Sequence, residues 1–359
     1  MLDTVDLLAE LMRFQPVTDN LEQVNALADF ARKYLTQAGV HTSVEELAGR
    51  RVLYAATVAD KECDILLNAH LDVVPADNTM FTLTQADGWL RGRGTHDCLG
   101  NCALIMQTLI KLKNADVSVG AIFSTDEETG GATTKAMVDR GYRARRLVLV
   151  CDGSGYSLVT AQKGVVSLTL RAHGTGCHAA EPWKGDNAID RLIEGYRKIQ
   201  PLFPPINPPD EWHNTAAATT IRAGNAHNRV PDSAEMTLNV RFTETTDFEE
   251  LLRSIRETSG LEADPGMLAP PVFCNPENSE IQRVVECMRT MLGRDIAVKR
   301  SNGATDARHF VDMGVPIAII GIPGRDLHGD NEALELKGLK AYEELLPTLL
   351  QITLNSEVA

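Results

Sequence analysis

Three short apolar runs, 64–69, 117–123 and 147–151, alternate with stretches of helical periodicity in the first half of the chain, and each is closely followed by ionisable residues. Strands that are apolar on both faces are covered on both faces. Helices between them make the natural solution a mixed or parallel sheet with helices on either side, an α/β/α arrangement. In such sheets, sites gather just past the strand ends. The residues found there are His70 and Asp72, then Asp126-Glu127-Glu128, then Asp152.

The pattern changes near Gly164. Residues 165–172 alternate apolar and polar, a helix pattern covers 187–199, and a Pro-rich loop runs over 201–209. Alternating strands at 217–222 and 235–242 and an amphipathic helix at 246–258 follow. This order predicts a smaller α+β domain, 165–274, inserted into a main domain formed by 1–164 and 275–359. The main-domain style then returns with a helix over 280–292, a strand over 316–322 and a C-terminal helix from about Ala333. The alternation in 165–172 predicts an exposed edge strand, available to pair with a second copy.

The 359 residues carry a net charge of −14, which argues against nucleic acid and anionic membrane surfaces as partners. No apolar run approaches the roughly 18 residues of a membrane span. The opening MLDTVDLLAELMRF carries early acids and reads as an amphipathic helix, not a signal peptide. Seven cysteines, an odd number with no Cys-x-x-Cys pair, predict buried free thiols and a reducing cytoplasm.

Residues two apart on an extended chain face the same way, so Asp72 can reach the ring of His70 as a carboxylate behind a metal-bound imidazole does. Gly92-Arg93-Gly94 allows an unusual backbone path up to Asp97, which otherwise would be a helix cap. His96 should point away from Asp97 and is read as structural. Three consecutive acids at 126–128 repel one another unless positive charge neutralises them. His328 lies past another apolar strand in a Gly-rich loop. Singly, each of these has a bland alternative: a strand-end histidine, a turn, a solvated acidic loop. Together, imidazole and carboxylate donors without thiolate suit two divalent metal ions, zinc first, with cobalt or manganese as alternatives. A metal pair needs one shared carboxylate, and another left free to act as base.

His70-x-Asp72, Gly92-Arg93-Gly94-x-x-Asp97, Asp126-Glu127-Glu128-x-Gly130, Asp152 and His328 occur in the order of a large dinuclear zinc metallopeptidase family, which the chain resembles over nearly its whole length. The family includes glutamate carboxypeptidase, acetylornithine deacetylase, succinyl-diaminopimelate desuccinylase and tripeptide aminopeptidase. The resemblance implies a zinc-exopeptidase-like catalytic domain and a ferredoxin-like dimerisation or lid domain. It implies that His70 and Asp152 bind one ion, Glu128 and His328 the other, and Asp97 both. Asp72 would orient His70, Glu127 would be the general base, and the Asp97–Cys98 peptide would be cis.

In the smaller domain the resemblance makes His178 an oxyanion-supporting residue that reaches a partner subunit of a homodimer. Asn228 and Arg241 resemble the polar pair that holds a substrate carboxylate, and Gly303 opens a stretch resembling the deacylase branch. Cys98-Leu99 departs from the commoner Met-Lys, and Asp152 stands where deacylases usually carry Glu.

The expected activity is hydrolysis of an amide bond in a small peptide or N-acyl amino acid, exopeptidase- or dipeptidase-like, with a specific acetylornithine- or succinyl-diaminopimelate-type deacylase as the alternative. A metal-free binding protein on the same fold is the competing class, and the intact ligand positions and Glu127 speak against it. A hydrolase using Cys98 or Cys177 would instead resist chelators.

Overall fold

The computed structural model describes residues 1–153, 155–206 and 211–355; part of the Pro-rich stretch 201–209 lies outside them. The chain divides into two compact units, one of residues 1–161, 273–300 and 305–359, the other of 162–272 and 301–304. The sequence alone predicts borders at 165 and 274 and places 301–304 in the main domain.

The larger unit is built on a nine-stranded mixed sheet. Its centre is parallel: Glu62–His70 lies between Val119–Ser124 and Arg143–Val150, and Ile317–Ile319 joins the far side of the last. The antiparallel hairpin His41–Leu47 and Arg50–Ala56 extends one side. Apolar side chains such as Ile65, Leu67, Phe123 and Leu149 pack with the helices into one core. Leu99–Leu112 supplies Cys102, Ile105 and Leu109 to it, and Thr4–Met12 supplies Leu7, Leu8 and Leu11.

Register carries the consequence for the site. His70 pairs opposite Ser124, two residues before Asp126, and Asn68 pairs opposite Val150, two residues before Asp152. Three parallel strands therefore end level and deliver His70, the acid triplet and Asp152 to one edge.

The smaller unit has the order strand, helix, strand, strand, helix, strand, with its own core of Val166, Leu168, Leu170, Leu192, Leu238, Leu252 and Ile255. Its sheet runs Thr215–Ala223, Ser233–Phe242, Gly164–His173, Glu262–Ala269, all antiparallel, which is the ferredoxin-like arrangement. This corrects one expectation. Gly164–His173 is an interior strand with partners on both sides, and the outer strands are Thr215–Ala223 and Glu262–Ala269. The fourth strand escapes a sequence reading because Pro265-Gly266 sits within it, where the register shifts.

Elsewhere, Ala333–Glu335 is not helical. It is a short strand paired with Trp89–Arg91, and the last helix begins at Leu336. Among the described residues no helix is long and apolar enough to cross a membrane. All seven cysteines are free thiols, and all but Cys177 are buried.

Candidate metal centre

His70 ends its strand 1% exposed, with Nε2 2.9 Å from Asp97 Oδ1 and 3.8 Å from Asp152 Oδ1. The other oxygen of Asp97, Oδ2, lies 3.0 Å from His328 Nε2, which is also 3.2 Å from Glu128 Oε2. One carboxylate thus addresses two imidazoles, each accompanied by a further acid. Asp97 reaches this position on a Gly-rich turn with positive φ at Gly92 and Gly94, and the Asp97–Cys98 peptide is cis.

Asp72 lies behind His70, fully buried. The ring Nδ1–H of His70 donates to the backbone carbonyl of Asp72 at 2.9 Å, while the Asp72 carboxylate is 3.5 Å from Nδ1. That carboxylate accepts the backbone N–H groups of Glu127 at 3.2 Å and Glu128 at 3.3 Å, and the hydroxyl of Thr18 at 2.9 Å. Asp72 therefore holds the histidine with its main chain and the acidic turn with its side chain. Thr18 gave no sequence signal, because a hydroxyl far along the chain forms no motif with the strands it serves.

The electrostatics are those of an anion-rich pocket. Burial raises the Glu128 carboxyl to about 7 and the Asp152 carboxyl to about 6. Burial, reinforced by the charge of Asp152, lifts Glu127 well above the carboxylate range. Burial also opposes ionisation of Asp97, but hydrogen bonds from His328 and His70 outweigh it and hold that carboxyl low. Desolvation works against a proton on His70, yet the surrounding Cys98, Asp152, Asp72 and Asp97 raise its pKa well above normal. His328 is raised chiefly by its hydrogen bond to Asp97.

So many carboxylates in so little water require positive charge. The two imidazoles, both raised above the usual histidine range, can carry part of it, and divalent cations would supply more. Glu128 Oε1 is buried without a hydrogen-bond partner, a free donor atom beside His328. His70, Asp97 and Glu128 lie close enough together to share an ion, and so do His70, Cys98 and Asp152. Nitrogen and oxygen donors, with the Cys98 thiol beside them, suit a divalent metal ion.

His96 is buried and neither ring nitrogen has a hydrogen-bond partner. In the smaller unit His178 is exposed, its Nδ1 accepting the Ala180 N–H at 3.0 Å, and the Asn228 carbonyl accepts the Ala179 N–H at 2.9 Å. Arg241 stands on Ser233–Phe242 with Nε donating to Asn239 Oδ1 at 2.9 Å. Gly303 donates its N–H to Ser301 Oγ at 3.2 Å.

The family model for peptidase family M20/M25/M40 matches residues 66–352. The chain belongs to this family. It is a metal-dependent amide hydrolase. A probable succinyl-diaminopimelate desuccinylase of Staphylococcus aureus strain MRSA252 is 26% identical over 397 aligned residues, covering 95% of this chain and 96% of that protein. A tripeptidase of Staphylococcus aureus subsp. aureus Mu50 superimposes with a TM-score of 0.82 at 17% identity, covering 98% of both chains. An M20 metallo-carboxypeptidase of Sulfolobus solfataricus superimposes at 0.81 and 17% identity, covering 98% of this chain and 99% of that one. The structural likenesses establish the shared fold.

Proposed function

We propose that the chain cleaves the amide bond of a small peptide or N-acyl amino acid with two divalent ions, zinc by preference. The observation that carries this reading is Asp97, with one carboxylate oxygen 2.9 Å from His70 and the other 3.0 Å from His328. His70 and Asp152 would hold one ion, Glu128 and His328 the second, and Asp97 both. When bound, such a pair polarises the scissile carbonyl and brings a water toward ionisation near neutral pH.

Glu127 is the base. It lies between Asp126 and Glu128 on a turn held by Asp72, and burial raises its pKa, which makes its carboxylate a stronger proton acceptor than a solvated one. Its carboxylate takes the proton of the attacking water and returns it to the leaving nitrogen. Asp72 orients His70 through the contacts described.

Arg241 and Asn228 are assigned to the substrate carboxylate, for which the guanidinium fork is suited, and Gly303 to the substrate-facing loop. His178 is assigned to oxyanion support in a partner subunit of a homodimer that assembles through residues 165–274, the dimerisation or lid domain. The outer strand Thr215–Ala223, exposed along most of its length, supports such pairing. A cytoplasmic setting is supported by the seven free thiols.

A specific deacylase is the second reading, favoured by the 26% identity to the desuccinylase relative. Turnover of zinc-, cobalt- and manganese-loaded protein on dipeptides, tripeptides and N-succinyl or N-acetyl amino acids separates the two. Peptide cleavage without deacylation supports the exopeptidase. Deacylation alone supports the alternative, and activity untouched by chelators contradicts both.

A further inference from the structure

The carboxylate of Glu332 is 1% exposed and gathers four donors. Its Oε1 accepts the backbone N–H groups of His96 at 2.9 Å and Asp97 at 3.1 Å. Its Oε2 accepts the N–H of Gly94 at 3.0 Å and Arg93 Nη1 at 2.6 Å. A carboxylate has about four acceptor positions, and here all are used. All four donors belong to the 92–97 turn that carries Asp97, three of them backbone N–H groups, so the turn is folded around this one anion.

Arg93, 2% exposed, reaches the other way. Its Nη2 donates to the carbonyls of His328 at 3.0 Å and Gly329 at 3.3 Å. The backbone N–H of Gly92 closes the same seam on the Glu332 carbonyl at 3.1 Å. His328 has φ of +61° and Asp326 +55°, a region that non-glycine residues rarely adopt unless their surroundings impose it. A buried ion pair is weak evidence for stability, but it fixes geometry well. Nothing else described joins the 92–97 turn to the 326–332 loop with as many bonds.

We propose that Glu332, clamped by Arg93, is a positioning residue that sets Asp97 against His328, and so would fix the placement of the carboxylate assigned to both ions. The inference rests on the metal reading above. Glu332 touches neither substrate nor ion; it acts through the backbone of Asp97. Its chemistry also predicts that glutamine will not substitute for it. An amide presents N–H groups to N–H donors on one side and leaves at least one backbone donor of the turn unpaired.

Zinc affinity of the purified apo-protein, measured by competition with a chromophoric chelator, tests the proposal. The wild type should take two ions per chain. Glu332→Gln should bind zinc about 10- to 100-fold more weakly, the usual effect of removing a group that orients metal ligands. Its lost turnover should be partly restored by excess zinc. Arg93→Lys keeps a charge beside Glu332 yet cannot fork to the two carbonyls, and should weaken zinc binding in the same direction; it decides the matter alone if Glu332→Gln does not fold. Arg146→Lys disturbs another ion pair of the same unit, with Glu280, and should leave zinc affinity unchanged. Folded Glu332→Gln or Arg93→Lys protein with wild-type zinc affinity overturns the proposal while leaving the metal reading intact. A wild type that binds no zinc overturns the metal reading and this inference with it.

Discussion

The backbone N–H of Glu127 donates to Asp72 Oδ1 at 3.2 Å, so the residue placed behind His70 also places the proposed base. Removing that carboxylate strands three donors at once, the buried Thr18 hydroxyl and the part-buried N–H groups of Glu127 and Glu128. Each unsatisfied buried group costs roughly 1–3 kcal/mol. Asp72→Ala should therefore lose about 2–3 kcal/mol in urea denaturation, against about 1 kcal/mol for Thr18→Ala, which removes one hydroxyl shared between the Asp72 carboxylate and the Val73 carbonyl. Equal losses in the two variants would contradict the shared anchoring.

Gly131 lies in the acidic turn with φ of +65°, and a Cβ there would fall 1.9 Å from Asp306 Oδ1 and 2.8 Å from His309 Nε2. Asp306 cannot easily retreat, since its Oδ2 accepts hydroxyls of Ser124 and Thr134, both at 2.6 Å. Gly131→Ala should destabilise by more than about 1 kcal/mol through the backbone alone, with the clash added. A denaturation midpoint matching the wild type would show that the turn is free to move.

Raised carboxyls make the metal-free protein sensitive to rising pH. Glu128, near 4.5 when unfolded and about 7 when folded, and Asp152, near 3.8 and about 6, bind more protons folded than unfolded. Their contribution is thus full below about pH 4 and falls as pH climbs toward 7, each unit of difference being worth about 1.4 kcal/mol. Cations neutralise the same groups and should abolish the fall. The check is the gap in melting temperature between zinc-loaded and apo-protein, which should widen from pH 5 to pH 7. A gap that narrows would reverse the sign.

If His178 serves a partner's site, Glu127→Gln and His178→Ala proteins should complement each other. Mixed under subunit exchange, one site in each heterodimer joins an intact His178 to an intact Glu127. Partial recovery of turnover is expected. No recovery despite proven exchange removes the shared site.

The candidate site is legible where ionisable side chains follow apolar strands. His70, Asp126 to Glu128 and Asp152 announce themselves because three buried parallel strands end on them. Thr18 and Glu332 were silent because their partners are main-chain N–H groups or residues on remote loops, which leave no spacing to read. The smaller unit's sheet was legible except at Glu262–Ala269, where Pro265 and Gly266 argue locally against a strand that neighbouring pairing imposes. That hidden strand is also why Gly164–His173 looks like an edge in the sequence and is interior in the fold.

The central claim is that Glu127 moves the proton and binds no metal. Paired metal analysis and turnover of Glu127→Gln test it most directly. The account predicts two ions per chain, as in the wild type, with kcat lowered by about 10²- to 10⁴-fold. Turnover near the wild-type rate, or loss of an ion together with activity, would contradict it.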